Sequence, residues 1–206
     1  MIFLDFEGFT NKKPSFVGYQ IDGSFKQIVL DVDFMSISKE TDIEFKEYEE
    51  FCDWILSKSY KLKQPITAWS STELTILKEF KDDINYCNLL QVAKRKIKNN
   101  KILCKTHKDM PQYWVGYTPN NNPYLRKRWA LITILKLLDY PHLSTGYGKG
   151  KVTARLTAIM NGLDARGSYK KLTPVQKAKW TKLKQHNKID VDGMSYIVDK
   201  LDISLE

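Results

Sequence analysis

The sequence predicts an α/β fold, a mixed sheet that opens as an antiparallel β1-β2-β3 meander, continues with parallel strands and is flanked by helices. Three observations lead there. Strand-like apolar runs crowd the first thirty residues, two of them around the turn-forming Asp22-Gly23-Ser24. From residue 38 onward, stretches with helical spacing alternate with short apolar strands. Finally, 206 residues with 42% hydrophobic and 12% aromatic side chains suffice for one core, so a single domain over 1–206 is expected.

The first strand, Met1 to Gly8, reads MIFLDFEG. Strand side chains alternate, so Asp5 and Glu7 project from one face. Two close carboxylates on a half-buried strand raise each other's pKa, and a hard divalent cation such as Mg²⁺, bound through oxygen, relieves that. A solvated acidic face on an edge strand is the alternative. Thr10 to Pro14 is a polar turn, and Phe16–Ile21 with Phe25–Leu30 form a hairpin. Ser38 to Tyr60 reads as one helix, capped at Ser38 or Thr41, with Ile43, Tyr48, Phe51, Trp54 and Ile55 inward and an acidic, solvated outer face. Gln64–Trp69 is a fourth strand. Ser70, Ser71 and Thr72 are N-cap candidates for a helix through Phe80. Glu73 thus stands where a strand feeds a helix, the usual place for ligands in α/β proteins, or simply complements the helix dipole. Ile84–Leu90 reads as a further strand, apolar enough to be central, leading into Gln91 to Ile97.

The formal net charge of +9 points to a polyanionic partner, nucleic acid first and an anionic membrane surface second. Basic residues concentrate from Lys94 to Lys108, followed by Tyr113, Trp114, Tyr117 and Tyr124 mixed with Arg126, Lys127 and Arg128. Rings that stack on bases beside cations that hold phosphates suit a single strand, so this elaboration over 94–128 offers Lys94, Arg95, Lys98, Trp114, Arg126 and Arg128 as contacts. The plainer alternative is a solvated basic face with a Pro/Asn-rich loop. The segment STGYGKGK over 144–151 does not have the spacing of an ATP-binding phosphate loop. It is either a flexible connection or a basic loop gripping the substrate backbone, with Lys149, Lys151 and Arg155 as candidates. Trp129–Tyr140 and Val152–Gly162 have helical spacing, and Thr173-Pro174 supplies an N-cap with proline at the first helical position. Cys52, Cys87 and Cys104 are an odd number in unrelated contexts, which argues against a disulfide framework. Cys104 and His107 have half of a zinc spacing with no second pair, so they read as a buried thiol and a surface histidine. No apolar run approaches a membrane span and no leader pattern precedes the first strand, so a soluble, cytoplasmic protein is expected.

In the last segment, His186 and Asp190 are one helical turn apart and project from one side, while Ile189, Met194, Ile197, Val198 and Leu201 form another stripe and Asp192 points away. Asp-x-Glu on the first strand, an acid after the fourth strand in AWSSTEL, and a C-terminal His-x-x-x-Asp helix together resemble the DEDD-type 3′–5′ exonucleases of the ribonuclease H-like superfamily. HNKIDVDGM resembles the last motif of the subgroup that carries Tyr-Asn-x-x-Asp-Val-x-x-Met, and WALITILKLLDY resembles the helix before the third motif. The chain departs from the pattern in three places: Glu73 replaces the commoner Asp, Asn88 stands where an acid is often found, and histidine takes the tyrosine spacing. The resemblance implies a ribonuclease H-like nuclease domain and two-metal hydrolysis of phosphodiester bonds. Asp5, Glu7, Glu73 and Asp190 would hold two Mg²⁺ or Mn²⁺ ions and His186 would act as general base. It also implies 3′ to 5′ cleavage on a single-stranded end of DNA or RNA. Three other readings stand beside it: an inactive nuclease-fold protein that binds nucleic acid or a partner protein, an endonuclease on the same fold, and a basic interaction domain whose acids are solvated.

Overall fold

A computed structural model of the chain describes residues 1–9, 13–110, 114–117, 123–125, 129–143 and 152–204, with backbone alone at 114–117 and 123–125. The meander forms as its pattern dictates. β1 (Ile2–Gly8) pairs antiparallel with β2 (Pro14–Ile21), which pairs antiparallel with β3 (Ser24–Val29). The β2–β3 turn places Asp22 and Gly23 at φ of 48° and 79°, two left-handed residues that match the twist of the flanking strands. β4 (Glu44–Phe45) adds parallel to β3, and β5 (Ile66–Ala68) and β6 (Tyr86–Asn88) add parallel to β1 and to each other. The result is one six-stranded mixed sheet, ordered β4-β3-β2-β1-β5-β6 and flanked by helices.

Alternation along β1 divides the core. Ile2 and Leu4 pack with Val17, Tyr19 and Ile28 against α2 (Tyr48–Leu62) on one face. Phe3 packs on the other face with α4 (Leu89–Asn99), α6 (Leu131–Leu137) and α8 (Pro174–Lys200). On that second face, farther along β2, Phe16 meets Trp180 of α8 with ring centroids 5.0 Å apart, in a cluster completed by α7 (Val152–Arg166). Asp5 and Glu7 follow Phe3 in parity, so the sheet turns them toward α8. α8 itself is unbroken over 27 residues and starts at a capping box, Thr173 with Gln176, with Pro174 inside the first turn.

Several expectations are corrected. The helix expected over 38–60 is two helices, α1 (Met35–Glu40) and α2, separated by β4. Thr41 interrupts it: its hydroxyl donates to the Ile37 carbonyl at 2.7 Å and accepts from the Ile43 amide, and the chain then reaches the sheet, where Lys46 donates to the Val29 carbonyl. β6 lies at an edge rather than in the centre, because the Asn88 side chain accepts from the Gln91 amide and starts α4 there, drawing Leu89 and Leu90 into the helix. Asn88 is therefore a helix cap in the place where an acid was looked for. α3 (Thr72–Leu77) stops before Phe80. The basic stretch is two helices, α4 and α5 (Lys101–Asp109), the second capped by Asn100. β7 (Trp114–Tyr117) and β8 (Pro123–Leu125) pair as a separate two-stranded sheet. His107 is buried against Trp129 at 4.2 Å between ring centroids while Cys104 is half-buried, the reverse of the expected thiol and imidazole. The segment 144–151 lies outside the described residues, as do residues 118–122 and 126–128. Among the described residues, no helix is long and apolar enough to cross a membrane.

Candidate metal centre

Three elements supply the site. β1 carries Asp5 and Glu7, α3 carries Glu73 one residue inside its start, and α8 carries His186, Asn187 and Asp190. His186 Nε2 lies 3.4 Å from Asp190 Oδ2 and 3.9 Å from Glu7 Oε1. Glu7, His186 and Asp190 each offer a ligand atom within 4.8 Å of the other two. Glu7 is 8% exposed, and its Oε1 is buried with no hydrogen-bond partner among the described residues. An ionised carboxylate oxygen left so is expensive, and a cation is what would satisfy it.

Glu7 and Glu73 are buried and Asp5 is half-buried, and their pKa values move accordingly. Burial, then the charges of Glu7, Asp190 and Glu73, push Asp5 well above the usual carboxylate range, opposed by a hydrogen bond from Asn187. Glu7 is also raised, by burial first and then by Asp190, with Arg155 pulling it down. Glu73, 7% exposed, is pushed up to about 7 by burial, opposed by a backbone amide and by the Ser70 hydroxyl, which donates to it at 3.4 Å. Burial and then the Arg155 charge lower His186 to about 4, so the imidazole is neutral at pH 7.

Asn187, which is fully buried, holds Asp5. Its Nδ2 donates to Asp5 Oδ2 at 2.8 Å and to the Asp5 carbonyl at 3.0 Å. Its Oδ1 accepts from Gln27 Nε2 at 3.0 Å, and Gln27 also donates to the Lys184 carbonyl at 2.9 Å. Gly18, opposite Asp5 in β2, leaves the room: a Cβ there would stand 2.0 Å from Asn187 Oδ1. Sequence reasoning quoted Asn187 within the last motif and gave it no role. The available signal was a polar residue inside the fully buried stripe of Leu183 and Val191, since a buried amide there requires partners.

Of the five residues expected at the centre, Glu7, His186 and Asp190 come together. Asp5 and Glu73 lie outside the tight triad but close enough for their charges to act on it. Arg155 joins them from α7, its guanidinium donating to the Lys182 carbonyl at 3.4 Å and its charge acting on both Glu7 and His186. Of the other expected nucleic-acid contacts, Lys94, Arg95 and Lys98 lie on α4. Lys94 stands over the Trp129 ring at 5.7 Å, and Arg95 and Lys98 are exposed along α4. The side chain of Trp114 and the residues Arg126, Arg128, Lys149 and Lys151 lie outside the described residues.

Glu7 also forms part of the wall of a cleft of about 900 Å³ that continues past Gly8 to Tyr48 and to the hydroxyls of Ser71, Thr72 and Thr75. A cavity of that volume is within the range of small-molecule and nucleotide sites. No protein-family model, no curated protein and no solved structure matches this chain.

Proposed function

We propose that the chain is a metal-dependent nuclease on a ribonuclease H-like scaffold, hydrolysing phosphodiester bonds of DNA or RNA, with single-stranded ends and 3′ to 5′ polarity implied by the resemblance. The observation that carries the reading is the meeting of Glu7 with His186 and Asp190, residues from opposite ends of the chain. The meander followed by parallel strands, ordered β3-β2-β1-β5-β6, supports the choice of scaffold.

The donor set fits hard or borderline divalent ions: carboxylates in partial burial, one of them with an orphaned oxygen, and a neutral imidazole. Asp5, Glu7, Glu73 and Asp190 are the residues that would hold two Mg²⁺ or Mn²⁺ ions. Bound metal supplies positive charge that makes water a better nucleophile and stabilises the departing oxygen. The chain's own groups do the rest. Asn187 fixes the orientation of Asp5 through one carboxylate oxygen and leaves the second outside that contact. Arg155 offers a planar cation for a phosphate entering beside Glu7. Lys182 and Lys179 lie one and two turns before His186 on the same helix face and extend that attraction along α8. His186 as the acceptor of the water's proton fits less well, because a group lowered to about 4 is far from the pH at which it would work.

The experiment is to incubate end-labelled DNA and RNA, single- and double-stranded, with Mg²⁺ or Mn²⁺ and to read the product ladder. Successive shortening that falls by at least about 10²-fold in Asp5→Asn supports the reading. Binding of polynucleotide with no cutting in either metal overturns it in favour of an inactive nuclease-fold protein. Cutting of circular single strands turns it into an endonuclease.

A further inference from the structure

We propose that Glu7, His186 and Asp190 form a mixed nitrogen and oxygen site that takes one divalent ion of the borderline class, Mn²⁺, Co²⁺ or Zn²⁺, in preference to Mg²⁺, with the His186 imidazole as a ligand. This extends the nuclease reading and rests on it for the chemistry that the ion serves.

The geometry is close to what one ion needs. Donor atoms bound at about 2.0–2.2 Å to a common ion lie no more than about 4.4 Å from each other. His186 Nε2 is already 3.4 Å from Asp190 Oδ2 and 3.9 Å from Glu7 Oε1, and all three atoms fall within 4.8 Å. His186 and Asp190 share one turn of α8, so their separation is set by the helix and not by loop placement. Glu7 is fixed by β1, and its buried Oε1, without a hydrogen-bond partner among the described residues, lies 3.9 Å from the imidazole. Two carboxylates and one histidine leave positions open for water or substrate, as catalytic sites do.

Nitrogen decides the selectivity. Mg²⁺ takes oxygen ligands in a strict octahedron and gives up its water reluctantly, whereas imidazole suits the first-row transition metals. Asp5 and Glu73, outside the triad, remain all-oxygen and suit a second, harder ion.

The test reads metal binding in the absence of nucleic acid, so that this inference and the nuclease reading fail separately. The chelator-stripped full chain is titrated with Mn²⁺ and with Mg²⁺ by calorimetry, and the Mn²⁺ complex is examined by pulsed electron paramagnetic resonance for coupling to imidazole nitrogen. The expected result is Mn²⁺ binding about tenfold or more tighter than Mg²⁺, with nitrogen coupling present. His186→Ala should remove the coupling and weaken Mn²⁺ by about 10–100-fold while leaving Mg²⁺ within roughly twofold. His186→Gln, which keeps the side-chain bulk, serves if the alanine variant fails to fold by circular dichroism. Absence of nitrogen coupling in the unsubstituted protein, or equal Mn²⁺ and Mg²⁺ affinities unmoved by either substitution, overturns the proposal. Nitrogen coupling with no cleavage of any nucleic acid upholds the ligand set and overturns the nuclease, and cleavage without coupling does the reverse.

Discussion

Asn187 is the side chain on which the position of Asp5 depends. Its amide is saturated on both ends, toward Asp5 and toward Gln27, in a place with no access to water. Asn187→Ala takes both donors away from Asp5, while Gln27 keeps the Lys184 carbonyl, and an unmet buried polar group costs about 1–3 kcal/mol. The expected outcome is a loss of that order in denaturant melts, with metal affinity reduced as well. Gly18→Ala approaches the same contact from the strand. A Cβ 2.0 Å from Asn187 Oδ1 forces the helix or the amide to move, at a cost of about 1–3 kcal/mol. Its diagnostic is that metal binding falls while Gln20, two residues along, tolerates substitution. Period-two alternation made Asp5 and Glu7 legible as a pair. Nothing local announced that Gly18 clears space for a residue of the last helix, because the two meet only through folding.

α8 joins two tasks in one element. Its first half is a structural wedge, with Trp180 and Leu183 buried against Phe16 and α7, and its second half carries the site. Removing the cap by Thr173→Ala should lower stability by about 1 kcal/mol in thermal or denaturant melts, without changing the metal-binding stoichiometry. The same helix presents Lys179 and Lys182 on the His186 face, whereas Lys98 is exposed on α4. Lys182→Glu should therefore weaken oligonucleotide binding and reduce its salt dependence by about one charge, measured by fluorescence anisotropy in chelator. Lys98→Glu should change either far less. An equal effect of both would place the nucleic acid across α4. Charge counting in sequence locates the densest basic run and carries no information on where that run stands in the fold. The break at Thr41 was missed for a related reason: helical spacing continues through it, and only a sheet edge waiting beside Val29 gives Phe45 a better partner.

For the molecule as a whole, the centre makes stability depend on pH and on metal. Glu73 has a folded pKa raised from its ordinary 4.5 to about 7, so the stability it contributes is present below about 4.5 and declines as pH rises through about 7. Asp5 and Glu7 are raised too and act with the same sign. His186, lowered to about 4, acts oppositely: its contribution is complete above about 6.5 and is lost as pH falls toward 4. The two effects oppose each other in mild acid, and above about 6.5 only the carboxylates continue. The metal-free protein should therefore lose stability between about pH 6.5 and 8. Glu73→Gln should remove roughly 1 kcal/mol of that loss, and saturating Mn²⁺ should abolish most of it, both read from denaturant midpoints across the range. The sequence by itself determined what is carried by neighbours in the chain: the hairpin at Asp22-Gly23, the common face of Asp5 and Glu7, the capped start of α8, and the pairing of His186 with Asp190 on one turn. Those follow from backbone periodicity and local hydrogen bonding, which act over a few residues. Only the tertiary structure decided that α8 crosses the face of β1 that bears the acids, that Asn187 grips Asp5 through the gap at Gly18, and that Arg155 of α7 comes within reach of Glu7 and His186. Such meetings depend on which faces of distant elements bury each other, and no spacing within a segment records that.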